Sequence, residues 1–321
     1  RFSEYFNLAS EQKDFDFVDV RVDWDNGLFI DPTRIEAESD SLSKECDNII
    51  HDFFNTVLDL YESNKIEEAR NSLVYSGESN EIFLGYTEGF PEGAGNSEEG
   101  LEKIFTYIHL NELISKGLIG RIEDLHVFID EFGSDKMSDL IASLIKAKLV
   151  EYTILQCEKY GIQRDCMLTK KYWDHVEHSW KDFSELLPGV IGPGGRLYPV
   201  VLVPKRFTVS SYLYDATKYW EKVISRRRQD YHKNEQTQLY LNRANTKGQL
   251  NKKEILEAEL DGRTLKEYLI DETIPDLTSI DTFRQRIKTT QRSNESNALT
   301  NEEIETILKD SLERFPSTIY S

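Results

Sequence analysis

The sequence predicts a helix-rich α/β protein: a small central sheet flanked by helices, followed by a helical C-terminal region. Three observations predict it. Leu125, Val127, Phe128 and Ile129 make a short apolar run with β-branched and aromatic content, as a buried strand does. Met137, Leu140, Ile141, Leu144, Ile145, Leu149 and Tyr152 then recur at spacings of three and four, the apolar face of one long helix. Beyond Arg206 the pattern becomes mostly helical. We therefore expect an acidic α/β domain over residues 1–206 and a mainly helical, locally basic region over 207–321.

Taken in order, Phe15, Phe17, Val18, Val20, Val22 and Trp24 are separated by Asp16, Asp19, Arg21 and Asp23, which reads as a strand. An Asp25-Asn26-Gly27 turn and a second strand, Leu28 to Ile30, complete an expected β-hairpin, closed by Asp31-Pro32. Asp23, Asp25 and Asp31 suit turn and edge positions, with a carboxylate site as the other reading. Ser41 or Ser43 is placed to cap a helix to about Tyr61, with Ile49, Ile50, Phe53, Phe54, Val57, Leu58 and Tyr61 on one face. Lys65 to Val74 follows as a second helix, and His51 reads as an ordinary surface or core histidine.

The glycine-rich stretch 77–100 matches neither phosphate-loop pattern, and its glutamates, Glu88, Glu92, Glu98 and Glu99, would repel a phosphate. Glu78, Asn80 and Glu81 are its most site-like residues, and Ile82 to Tyr86 reads as a short strand. Leu101 to Leu118 is an amphipathic helix. His175 and His178 stand three apart on an expected helix flanked by Trp173 and Trp180, a spacing that fits aromatic packing and no known zinc motif. Tyr198 to Val203 is a buried strand with Lys205 just beyond its end. Val209–Asp230, Lys252–Leu260, Thr264–Ile270 and Thr300–Leu312 read as helices, and Thr300 with Glu303 fits a capping box.

Sixteen Phe, 16 Tyr and 4 Trp argue against a disordered chain. No apolar run approaches the roughly 18 residues a membrane span needs, and the first residues carry no basic-then-apolar signal pattern. Cys46, Cys157 and Cys166 form no CxxC pair, which disfavours a disulfide framework or cysteine-held zinc and favours a reducing cytoplasm. The net charge of −19 is unevenly spread. Residues 1–160 hold 14 Lys+Arg against 34 Asp+Glu, whereas 196–253 holds 13 basic residues and 4 acidic ones.

Two features carry chemistry. Asp130, Glu131, Asp135 and Asp139 gather where the expected strand hands over to the helix, with Lys136 and Lys205 as basic partners. Hard cations want oxygen ligands, so Asp130, Asp135 and Asp139 form a candidate site for Mg²⁺ or Mn²⁺, with the same acids and Lys205 as candidate catalytic residues. Lys218, Lys222, Arg226, Arg227, Arg228 and Lys233, interleaved with Tyr219, Trp220 and Tyr231, suit a nucleic-acid backbone and its bases. The set resembles the restriction-endonuclease-like arrangement of acids and a lysine, with two departures: Val203 and Pro204, not an acid, precede Lys205, and the two strands are separated by a long insertion.

The stretches NEIFLGY (80–86), SDKMSDL (134–140) and LVEYT (149–153) resemble motifs of uncharacterised bacterial proteins from phage-defence and mobile-element settings, a resemblance covering about the first half of the chain. It implies an antiviral effector or its accessory subunit and assigns no active-site residue. The expectation is a metal-dependent nuclease of bacterial defence. The alternative is a non-enzymatic scaffold subunit that binds a protein partner, or another copy of itself, through charge complementarity.

Overall fold

A computed structural model describes residues 1–75, 79–85, 98–244 and 250–314. The fold is helix-rich α/β, as the sequence predicts. The chain divides into two compact units, both discontinuous. The first comprises 1–106, 134–212 and 296–321; the second comprises 107–133 and 213–295. The passage expected at 206/207 thus falls at 212/213, and the segments 107–133 and 296–321 each join the unit opposite to their place in sequence.

The first unit is built around the helix Ser41–Glu62, whose seven expected apolar positions are all buried. Its cap is Asp40, whose carboxylate accepts from Ser43 N, in place of the expected serines. Among the described residues the strands form three two-stranded antiparallel sheets. The longest pairs Cys166–Asp174 with Ser179–Leu187 and sets Trp173 opposite Trp180. Trp173 packs edge-on against Phe53 at 5.0 Å and donates its indole N–H to Asp52 at 2.7 Å. This stretch is therefore a hairpin and not the expected helix, because alternating aromatic side chains on a pleated strand reach the long helix. His175 and His178 sit in its exposed turn, where Asp174 accepts from Val176 N and Glu177 N.

Several local expectations are corrected. Leu125 to Ile129 is not a strand: Asp124–Phe128 is a helix buried on every side, and a short continuous apolar run does not separate the two by its pattern. The long helix divides at Ile145 into Ser134–Leu144 and Lys146–Tyr160. Residues 15–30 do not fold back on themselves. Val18 N bonds Val203 O, Lys205 N bonds Asp16 O, and Phe29–Ile30 pairs with Thr208–Val209. Residues 200–203 are buried as expected, but only Leu197–Pro199 is a strand. Their amides instead bond scattered partners, Val201 N to Glu81 O at 2.8 Å and Leu202 N to the Thr153 hydroxyl at 2.8 Å. Ile82 belongs to a helical turn, Asn80–Ile82, and Leu84 bridges Asn26.

The second unit packs the short helix Asp124–Phe128 against Ala216–Tyr219 and Leu265–Thr273. Its keystone is Asp124, wholly buried, which accepts from Gly120 N, Arg121 N, the Tyr214 hydroxyl and the Arg284 guanidinium. The helix expected from Val209 begins only at Ala216, because Asp215 caps it by accepting from Lys218 N. Lys252–Glu259 and Leu265–Thr273 match expectation, while the helix Thr278–Gln291 lacked a clear sequence signal. In the first unit Thr300 and Glu303 form the expected box ahead of Asn301–Arg314. No helix among the described residues is long and apolar enough to cross a membrane.

Candidate functional site

Three segments of the first unit bring acids together. Asp135 lies in the first turn of Ser134–Leu144, where a negative charge suits the helix dipole. Asp139, four residues on, shares its face. Asp25 comes from the 24–27 turn, which Asn26 locks: its side-chain amide donates to Arg21 O, Trp24 O and Phe83 O. The Asn26 backbone also pairs with Phe83 O and Gly85 N, at 3.0 Å each, so Gly85 lies against the same turn. Gly85 has φ +128°, a conformation that favours glycine. A Cβ on it would stand 3.6 Å from Asp25 Oδ2 and 3.8 Å from Asp135 Oδ1, so the two carboxylates converge over one small cradle.

Asp135 is exposed at the surface, yet the partial burial of its carboxyl raises it above the ordinary value. Its side chain makes no ion pair or hydrogen bond with the described residues. Tyr212 closes the floor: its hydroxyl donates to Ile30 O at 2.6 Å. Burial, and then the fields of Asp31, Asp135 and Asp139, hold the phenol far above its usual range. Asp31 caps the helix Pro32–Ala37 through Thr33, and Ser138 Oγ accepts from Ile30 N. Hydrogen bonds thus tie together the wall beneath the acids.

Positive charge comes from Lys146 and Lys170. Lys146, first residue of Lys146–Tyr160, forms a buried ion pair with Glu81, and Lys170 Nζ stands 3.9 Å from the other Glu81 oxygen. Burial opposes ionisation of Glu81, but the two lysines override it and hold the carboxyl below its usual range. Burial draws the Lys146 ammonium down while Glu81 and, more weakly, Asp139 support its charge. Asp139 thus lies within electrostatic reach of both Lys146 and the Tyr212 floor.

The residues expected from sequence fall in different places. Asp135 and Asp139 belong to this centre. Asp130 lies in the second unit, where its carboxylate accepts from the Thr264 hydroxyl at 2.9 Å, and Glu131 is exposed beside it. Lys136 is half-buried on the Asp135 helix. Lys205 donates to Asn301 Oδ1 at 2.9 Å and to Gln12 O at 3.4 Å. Glu78, Glu88 and Glu92 and the glycines between 86 and 97 lie outside the described residues. Sequence reasoning passed over Lys146 and Lys170. A lysine on the buried face of LIASLIKAKLV was the available signal for the first.

Among the described residues no group of three or more His, Cys, Asp or Glu side chains is arranged to hold a metal ion. Two carboxylates are nonetheless within the donor range of a hard cation of the Mg²⁺ type, which takes one or two and fills its remaining positions with water and substrate phosphate.

The basic segment divides. Arg227 is committed to Glu272 and Asp276, at 2.8 and 3.4 Å, and Arg228 to Glu259 and Glu272. Lys218 pairs with Glu221 at 3.5 Å. Lys222, Arg226 and Lys233 are exposed.

Fold and geometry together define a helix-rich α/β protein whose first unit carries an acid–lysine centre. The chain belongs to the family described as Domain of unknown function (DUF8370), which matches residues 7–215 and so spans every residue of that centre. No curated protein and no solved structure matches the chain.

Proposed function

We propose that this protein is a metal-dependent nuclease of bacterial anti-phage defence, with its centre at Asp25, Asp135 and Asp139 in place of the expected set containing Asp130 and Lys205. The observation that carries the reading is the convergence of Asp25 and Asp135 over Gly85, with Asp135 uncompensated by any described cation. Asp25 and Asp135 would hold Mg²⁺ or Mn²⁺, and Asp139 would bias the site toward a cation. When bound, the ion supplies a Lewis acid and a water of lowered pKa. The Lys170 side chain, 43% exposed and only 3.9 Å from a Glu81 that Lys146 already neutralises, would turn to phosphate oxygens. Tyr212 keeps its proton and braces the floor. The defence setting rests on the likeness of the 80–86, 134–140 and 149–153 stretches, and the three unpaired cysteines support a cytoplasmic place.

The test is incubation of purified protein with plasmid DNA and with RNA in Mg²⁺ or Mn²⁺, then EDTA. Cleavage abolished by EDTA and by Asp135→Asn, but retained by Asp130→Asn and Lys205→Ala, is the expected result. Absence of cleavage under all conditions removes the reading.

A second reading is a non-catalytic subunit that binds a protein partner or another copy of itself. It draws support from exposed apolar side chains that sit opposite each other on the strands, Met167 with Leu186 and Ile191 with Leu197. Light scattering on the purified protein separates a monomer from a self-associating subunit.

A further inference from the structure

In the second unit most arginines are spent on carboxylates. Arg227, Arg228, Arg263 and Arg284 each pair with one or two acids. Several cations of the unit depart from that rule, and four of them matter here. Lys222, Arg226, Lys252 and Arg286 make no ion pair with any described carboxylate, although the chain carries a net charge of −19.

Their gathering is built by the fold. Lys252 donates to the carbonyl of Glu221, and Arg286 donates to the adjacent carbonyl, that of Lys222, at 2.9 Å. One cation from Lys252–Glu259 and another from Thr278–Gln291 therefore bind successive carbonyls of one turn. Lys222 and Arg226 add two exposed charges from that backbone itself. Residues Trp220–Ile224 form a π-helical turn, a departure from α-geometry that is frequent at functional sites. Burial, and next the neighbouring Arg226, pull the Lys252 ammonium down, with Lys222 adding to the effect and Glu221 opposing it. Glu221, the nearest acid acting on Lys252, is itself paired with Lys218.

We infer that Lys222, Arg226, Lys252 and Arg286 form a binding site for the phosphodiester backbone of a nucleic acid. Four cations from three helical segments around one turn suit a repeating anion better than a lone one. A chain this acidic holds a polyanion only where positive charge is locally concentrated. The inference deepens the nuclease reading and rests on it only for the choice of nucleic acid among polyanions. It replaces Arg227 and Arg228, which are internally paired, with Lys252 and Arg286.

Fluorescence anisotropy with labelled single-stranded and duplex DNA and RNA, in EDTA and across a salt series, tests it. Wild-type protein binds at least one of these, and log affinity falls with log salt. Lys222→Glu with Arg226→Glu weakens binding tenfold or more and lowers the slope by about two, at about 0.9 for each phosphate no longer neutralised. Lys252→Gln with Arg286→Gln weakens it several-fold with an unchanged far-ultraviolet spectrum. Lys253→Glu, a neighbour that leans toward Glu257 at 3.8 Å, changes affinity less than twofold. No binding by the wild type, equal loss in Lys253→Glu, or equal competition by inorganic phosphate overturns the assignment. With EDTA present the result does not depend on cleavage, so failure of the nuclease reading and failure of this site are told apart.

Discussion

Lys146 and Glu81 form an ion pair in which both side chains are almost entirely removed from water, at 5% and 6% exposure. The pair joins the start of a helix to the short turn Asn80–Ile82, whose position Val201 N fixes by bonding Glu81 O. Taking two charges out of water costs several kcal/mol each, so such a pair is weak evidence of stability and better evidence of a task.

Removing one partner is therefore expected to cost about 3–5 kcal/mol, since the other charge is left buried alone. Glu81→Gln and Lys146→Met should each lower the urea midpoint sharply, and the double substitution should recover much of the loss. The Glu81 carboxyl is held below its ordinary 4.5. Its contribution is thus present above pH 4.5 and lost as pH falls through the lower folded value, so the acid limb of wild-type stability should be missing from Glu81→Gln.

Asp135 has the opposite sign. Burial raises its carboxyl above the ordinary 3.8, so the fold favours the neutral acid and tolerates the charged one at neutral pH. Asp135→Asn should raise Tm by about 1–3 °C, as relief of a strained site does. Mg²⁺ or Mn²⁺ at millimolar concentration should raise the wild-type Tm and leave that of Asp135→Asn unmoved. A wild-type protein indifferent to both ions would count against cation binding at this position.

Lys266 donates to Ile129 O at 2.7 Å and to Phe132 O at 3.1 Å, and burial lowers its ammonium to about 8 against the pull of Asp130 and Asp215. The folded state thus releases this proton earlier than the unfolded chain does. Stability of the second unit should rise between about pH 8 and the ordinary lysine value of 10.5. Mild acylation at pH 8.5 followed by peptide mapping should find Lys266 modified ahead of the exposed lysines.

Cys46, Cys157 and Cys166 are free and buried, and burial pushes the Cys157 thiol up to about 11 and Cys46 higher still. Ellman's reagent at pH 8 should titrate almost no thiol in the native protein and all 3 in urea. Rapid loss of activity on thiol alkylation would point to a role for one of them that this burial opposes.

Much of the helical content was legible because its signal is local. The seven apolar positions of Ser41–Glu62 and the Thr300–Glu303 box each lie within one segment. The strands were less so. The three-residue spacing of His175 and His178 points to one helix, and only the reach of Trp173 to Phe53 and Asp52 makes the hairpin the better answer. The run 125–129 failed for a related reason: burial on every side erases the alternation that tells strand from helix.

From its residues alone this chain is a helix-rich α/β protein with an acidic first half, a basic interval near 196–253 and two aspartates, Asp135 and Asp139, on one helix face. Periodicity and charge are properties of neighbours in sequence, so they survive without a fold. Which acids share a point is a property of distance. The long chain closure that brings Asp25 beside Gly85 and Asp135, places Lys146 on Glu81, and retires Lys205 to Asn301 and Arg227 to Glu272 depends on packing that no local pattern encodes.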